Sequence, residues 1–316
     1  MATATLTPAG VGIRNVLIAT DFSRCSTAAL HLGLQLAHAY HATADIVFVL
    51  PNDPYLLAGP EAYVTARDAA RRDLEELKRE LQRDHPELAP KGCHLFLLDG
   101  DVPDAILNFA RQKEIDLIVL GTHGRGGLRK ALMGSVAERV FRHSPVPVLT
   151  IGPAACCSRP GEPQQILVAA DFTAASRCAV RYAATLAREH HAQLTLLHVL
   201  DPGHLQHLPD RAAIERGMKT RLAELLEGEN EGIPCSIRIA VGRVSRSILE
   251  AAKEEQADLL VMGVHSSSGV FDRLTLPHAY EIVREAPCPV LTLRESTFIA
   301  NPDRPELSTL KASEDE

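Results

Sequence analysis

The amino-acid sequence predicts an α/β fold made of two tandem, doubly wound, parallel five-stranded sheets. Three observations carry this expectation. The chain repeats itself: residues 16–50 align with 166–200 at a constant offset of 150, and residues 100–151 align with 242–293 at an offset of 142. VLIATDF faces ILVAADF, IDLIVLG faces ADLLVMG, and SPVPVLTI faces APCPVLTL. Within each copy, short β-rich apolar runs alternate with longer stretches of helical period, the pattern of strand–helix layers. The runs are apolar on both faces, as strands of a parallel sheet covered on both sides must be. The change of offset makes the second copy eight residues shorter between its second strand and its next glycine. Between the copies, PAACCSRPGEP (153–163) has the proline and glycine content of a linker. The expected units are 1–152, 164–294 after that linker, and an acidic tail at 295–316.

In the first copy the strand-like runs are VLIAT (16–20), DIVFVL (45–50), CHLFLLD (93–99), DLIVLG (116–121) and PVLTIG (147–152). Helices are expected near 23–41, 61–84, 103–113 and 134–143. Ser23 is placed to cap the first of these, with Ala28, Leu30, Leu34 and Ala37 on its inner face. The second, EAYVTARDAARRDLEELKRELQRD, is heavily charged with acids and bases at helical spacing, which reads as a solvated helix with i,i+4 pairs. In doubly wound sheets ligands bind beyond the carboxyl ends of the strands. Asp21, Pro51-Asn52, Gly100 and Gly121 stand at those ends.

Bulk properties exclude several function classes. Hydrophobic content of 46% and charged content of 23% belong to a globular chain. No apolar run approaches the ~20 residues that cross a bilayer. MATATLTPAGVGIRN has neither the basic start nor the apolar core of a signal peptide, so the expectation is a short disordered leader on a cytoplasmic protein. Net charge is −7, of which residues 295–316 contribute −4, and no basic block is present to neutralise nucleic acid phosphates. The seven cysteines are odd in number and lack a CxxC pair, which fits reduced thiols.

The stretch 121–135, GTHGRGGLRKALMGS, follows a strand and precedes a helix. Gly121, Gly124, Gly126 and Gly127 let the backbone approach a ligand and point its amides inward around an anion. Gly134-Ser135 then opens a helix whose free N–H groups favour phosphate by ~0.3–1 kcal/mol at an exposed site. Arg125, Arg129 and Lys130 supply mobile positive charge. A ligand-free surface loop has the same composition, and the place between strand and helix favours binding. No GxxxxGK[ST] is present, and GRGGLR carries Arg129 where a dinucleotide fingerprint needs its third glycine.

The spacing G-x2-G-x9-G-[ST], occupied by Gly121, Gly124, Gly134 and Ser135, resembles the ATP-binding signature of the universal stress protein family. The strand endings ATDFS, LIVLGTHGR and SPVPVLTI resemble that family too, over nearly all of 13–152 and 164–294. The resemblance implies a Rossmann-like fold of adenine-nucleotide-binding type in each copy. It implies ATP as ligand, with Mg2+ or Mn2+ bound through the phosphates, usually without efficient turnover. By it, Thr20 and Asp21 lie near the adenosine, Val49 offers backbone to adenine, and Gly100 lies beside the nucleotide. Gly121, His123, Gly124, Arg125, Gly134, Ser135 and Val136 then surround ribose and phosphates. It also implies pairing through the last strand of each sheet, here near Val148 and Val290 within one chain, with a homodimer as a further level.

The second copy reads GVHSSSGVFDRLTLP over 263–277, so Gly124, Gly134 and Ser135 become Ser266, Leu276 and Pro277. Asp171, Gly242 and Gly263 remain. A Cβ, an apolar side chain and a proline without N–H replace the phosphate-holding groups, so one site per chain is expected. Asp21 and Ser135 also have purely structural readings as helix-start residues. His198, His204 and His207 lack the partners of an ordinary zinc site. No serine lies in a nucleophile-elbow frame. The expected function is a nucleotide-responsive regulatory protein of the stress response. The alternatives are a slow ATPase or phosphotransferase and a ligand-independent interaction module. The residues do not distinguish ATP from AMP or cyclic AMP.

Overall fold

The computed structural model describes residues 11–52, 59–84, 92–122, 134–157, 162–205, 210–229, 232–264 and 276–294. The first half runs β1 (Asn15–Ala19), α1 (Arg24–Ala39), β2 (Thr43–Leu50), α2 (Pro60–Asp84), β3 (Cys93–Asp99), α3 (Val102–Gln112), β4 (Leu117–Gly121), α4 (Ser135–His143) and β5 (Val148–Ile151). A 3-10 turn at Ala155–Cys157 leads on, with Ala155 buried against the core. The second half runs β6 (Gln165–Ala169), α5 (Ala174–His190), β7 (Gln193–Leu200), the short α6 (Pro202–Leu205), α7 (Arg211–Glu224), β8 (Cys235–Val241), α8 (Val244–Glu254), β9 (Leu259–Gly263), α9 (Leu276–Glu285) and β10 (Val290–Leu293). Every strand and helix of the first half lies within two residues of the span its sequence pattern predicts.

The two five-stranded sheets are not separate. They fuse into one ten-stranded sheet of order β3-β2-β1-β4-β5-β10-β9-β6-β7-β8. All pairs inside each half are parallel. The one antiparallel pair is the seam, β5 against β10, with Leu149 opposite Leu291. There the side chains repeat the backbone symmetry: Thr150 Oγ1 donates to Val290 O and Thr292 Oγ1 donates to Val148 O, both at 3.1 Å. Thr150 is fully buried, so each hydroxyl is satisfied across the seam rather than by water.

Helices cover both faces. α1 and α5, with the later part of α2, pack on one face around Ile18, Leu34, Ile46, Ile166 and Leu196. α3, α4, α8 and α9 pack on the other around Leu17, Ile118, Phe141, Leu167 and Ile282. Matching carboxylates anchor the start of each half's first strand. Asp116 accepts from the Arg14 and Asn15 amides at 2.8 and 3.0 Å, and Asp258 from the Gln164 and Gln165 amides at 2.8 and 3.1 Å. Burial raises the Asp258 carboxyl above its ordinary pKa, and the amide bonds from Gln164 and Gln165 oppose that rise.

A second tie joins the halves through helix ends. The Tyr40 hydroxyl donates to Glu189 Oε2 at 2.7 Å and lies 2.9 Å from His190 Nε2. Burial, then the hydrogen bond to Glu189 and its charge, pushes Tyr40 well above the ordinary tyrosine pKa. Among the described residues no helix is long and apolar enough to cross a membrane.

Candidate functional site

Strand order reverses between β1 and β4, because β1 is followed by neighbours on its β2 side and β4 on its β5 side. At such a switch point the connections leave to opposite faces and open a crevice beyond the strand ends. The residues that line its near wall are those of the β1–α1 corner, the β4 end and the start of α4.

The β1–α1 corner is a closed hydrogen-bond network. The Asp21 carboxylate accepts from the Ser23 amide at 3.0 Å, and the Asp21 amide donates to Ser26 Oγ at 3.3 Å. Thr20 is buried, and its hydroxyl accepts from the Phe22 amide at 3.1 Å. Ser23 caps α1, with its side chain accepting from the Ser26 amide. Asp21 is therefore not the helix cap; it holds the turn that precedes the cap. Phe22 completes the corner with φ at +60°, a conformation costly for a bulky residue and repeated by Phe172 at +67°. Both halves store the same local strain beside the same strand end.

Gly121 ends β4 where no side chain fits. A Cβ there would lie 2.7 Å from the Cys25 carbonyl carbon and the Ser26 amide nitrogen, backbone atoms that cannot swing aside. A Cβ on Gly134 would lie 3.0 Å from Thr122 O, and the Gly134 amide donates to that same oxygen at 2.9 Å. Thus the two ends of the loop meet at Thr122, which is buried. Gly134 is the N-cap of α4 and offers no side chain to the first turn. Ser135 and Val136 begin the helix itself, so Ser135, an exposed residue, is not its cap. A helix start without a side-chain cap is an anion-binding position.

Val49 and Gly100 form the far side. The last β1–β2 pair is Ala19 with Val47, and Thr20 N donates to Val47 O at 3.0 Å. Backbone groups alternate sides along a parallel strand, so the Val49 amide and carbonyl point the same way, past the end of β1. They face the place where the chain has turned away into the corner. Gly100 has φ of +129° and donates its amide to Leu50 O at 3.1 Å. Next to it, Asp101 caps α3.

The structure thus brings Thr20, Asp21, Val49, Gly100, Gly121, Gly134, Ser135 and Val136 to one edge of the sheet. His123, Gly124 and Arg125 lie outside the described residues. Sequence reasoning missed Ser26 and Thr122, which tie the corner and the loop ends together. A serine repeated as Ser176 in the second copy, with its amide bonded to the Thr173 cap, was the available signal for Ser26.

An ion pair braces α4 against α3. Arg139 reaches both oxygens of Asp101 at 3.0 Å and Asp104 at 2.8 Å. At the equivalent positions of the second half the charges are exchanged. Arg243 stands before α8 and Glu281 lies on α9, 3.6 Å apart, with Ser245 Oγ donating to Glu281 at 2.5 Å.

The second half keeps the corner but not the helix start. Asp171 Oδ1 accepts from the Thr173 amide at 3.1 Å, and Asp171 Oδ2 is buried without a hydrogen-bond partner among the described residues. α9 opens with Leu276 and Pro277, so an apolar side chain stands where the first half has Gly134 and a residue without an N–H stands where it has Ser135. His198 is buried and its Nδ1 lies 2.7 Å from Ala170 O. Among the described residues no cluster of metal-binding side chains is found.

Comparison with known proteins gives these positions a context. The model of the universal stress protein family matches residues 12–152 and again 163–294. A universal stress protein of Mycolicibacterium smegmatis is 25% identical over 294 residues, covering 88% of this chain and 96% of that protein. The crystal structure of a universal stress protein from Archaeoglobus fulgidus superposes with a TM-score of 0.65 at 22% identity, covering 89% of this chain and 98% of that one. Another A. fulgidus universal stress protein, solved in complex with dAMP, covers 42% of this chain and 99% of its own at 22% identity and a TM-score of 0.32.

Proposed function

The chain belongs to the universal stress protein family, with two family units in tandem, and from that premise we propose that its first half binds ATP together with a divalent cation. The observation that carries the proposal is the start of α4, where Gly134 stands at the N-cap and no side chain caps the first-turn amides. In this reading the Val49 backbone meets the adenine edge and the Asp21 corner borders the ribose. The amides of Ser135 and Val136, with the Ser135 hydroxyl, take the phosphates. His123, Gly124 and Arg125 belong to the loop that closes over them. The residues fit the group, because the helix start supplies N–H donors without a competing cap. A Mg2+ or Mn2+ ion supplies charge neutralisation on the phosphates and is carried in by them.

Nucleotide occupancy acts here as a signal rather than a substrate. The Asp21 carboxylate at the end of β1 is engaged in the corner turn. The second half, with Leu276 and Pro277 at its helix start, serves as the structural partner of the first. The units 1–152 and 164–294 then act as one body through the β5–β10 seam. Mass spectrometry of small molecules released from the natively purified chain tests the assignment. ATP is the expected species; a chain that releases no adenine nucleotide and takes none up at millimolar ATP contradicts it.

A further inference from the structure

The second half also takes hold of the helix that opens the candidate site. α4 buries Ala137, Val140 and Phe141, a small apolar face for a helix of nine residues. Its place on the sheet is therefore fixed largely by contacts at its flanks. On one flank Arg139 holds Asp101 and Asp104 beside α3. On the other the contact comes from across the seam. Arg142 Nε and Nη2 donate to the Tyr280 hydroxyl on α9 at 3.1 and 2.9 Å, and the Phe141 and Tyr280 rings pack with centroids 5.4 Å apart. Burial raises the Tyr280 phenol above its ordinary pKa and Arg142 opposes that rise, so at neutral pH the guanidinium meets an uncharged hydroxyl.

Both partners are themselves held. Arg142 Nη2 donates to Glu138 Oε1 at 3.0 Å, one turn earlier on α4. Glu281, the residue after Tyr280, accepts from Ser245 Oγ at 2.5 Å and lies 3.6 Å from Arg243. The repeat uses the corresponding positions differently. At the offset of 142, Glu138 corresponds to Tyr280 and Arg142 to Arg284. Glu138 pairs with Arg142 and Arg284 with Glu285, each within its own helix. So the half with proline at its helix start supplies a residue to the half whose helix start is open.

We propose that Tyr280 of the second half is a positioning residue for the nucleotide site of the first. Through Arg142 it sets the roll and height of α4, and so the aim of the Ser135 and Val136 amides, about 10 Å away along the helix axis. The proposal rests on the nucleotide reading of that helix start. Linkage makes the coupling reciprocal: whatever displaces α9 changes phosphate binding in the first half, and bound phosphate steadies α9.

Titrations of the full chain with ATP and Mg2+, and separately with adenosine, test it. Tyr280→Phe keeps the ring against Phe141 and removes the hydroxyl that Arg142 holds. It should weaken ATP roughly three- to tenfold and leave adenosine within about twofold, since the brace acts on the phosphate end. Arg142→Lys keeps the charge but not the two-point grip and should act alike, with the double variant no weaker than either single one. A further readout needs no nucleotide. The Glu138 amide closes the first turn of α4 on Gly134 O at 2.9 Å, and its hydrogen exchange should quicken in Tyr280→Phe. Unchanged exchange overturns the proposal, as does a loss shared equally by ATP and adenosine, or single effects that add in the double variant. Faster exchange in a chain that takes up no ATP would uphold the brace and refute the nucleotide reading instead.

Discussion

Gly121 and Gly134 are alike in sequence and unlike in consequence. Gly121 abuts backbone of α1, so Gly121→Ala forces the β4–α1 packing apart. Overpacking of this kind costs about 1–3 kcal/mol, and a fall in melting temperature together with loss of nucleotide binding is expected. Gly134→Leu copies the second half, where Leu276 is tolerated, so it should abolish nucleotide binding with the fold retained. Circular dichroism melts beside ATP titrations separate the two. Cys288 gives a third residue-scale expectation. Burial pushes its thiol up to about 12, so it should resist thiol reagents at pH 8 until the chain is unfolded, whereas exposed Cys235 reacts in the native state. The glycines were legible in the sequence because their spacing lies within one segment. Gly152 was not: its Cβ would meet Val283 O at 2.7 Å, an atom 131 positions away that only the assembled seam brings near.

At the scale of elements, strands and helices were legible because their apolar periodicity is local. Ser23 is recognisable as a cap for the same reason. The Asp101–Arg139 brace was hidden, since nothing in either segment alone names its partner across 38 residues. Its exchange to Arg243 and Glu281 in the second half indicates that the attraction between the two helices matters and its direction does not. Both side chains are about half exposed, so solvent screens the pair and it adds little to stability. Its role is to set α4, and hence Ser135, against the β3–α3 corner. Arg139→Glu should weaken ATP binding severalfold, and Asp101→Arg with Arg139→Glu should restore it. Failure of the double exchange would show that Arg139 acts on the nucleotide by its own charge.

At the scale of the whole molecule, the repeat made two units legible, and the seam turns them into one sheet. The reciprocal Thr150 and Thr292 bonds join β5 to β10 within this one chain. Replacing both threonines by valine removes two buried bonds, worth about 1 kcal/mol each, and should lower the melting temperature of the whole chain in a single transition. The Tyr40 tie adds a pH signature. The folded state raises the Tyr40 pKa, so its contribution is intact below the unfolded value near pH ~10 and is lost as pH rises through the folded value. Tyr40→Phe should remove that alkaline loss in pH-dependent melts while weakening the contact at neutral pH. What the seam does not do is make the halves equivalent, because Ser135 has become Pro277 and Gly134 has become Leu276. That asymmetry is the centre of the account, and calorimetric titration of the intact chain with ATP and Mg2+ measures it directly. One nucleotide per chain, abolished by Gly134→Leu, is the predicted result; two per chain, or one that survives that substitution, would contradict it.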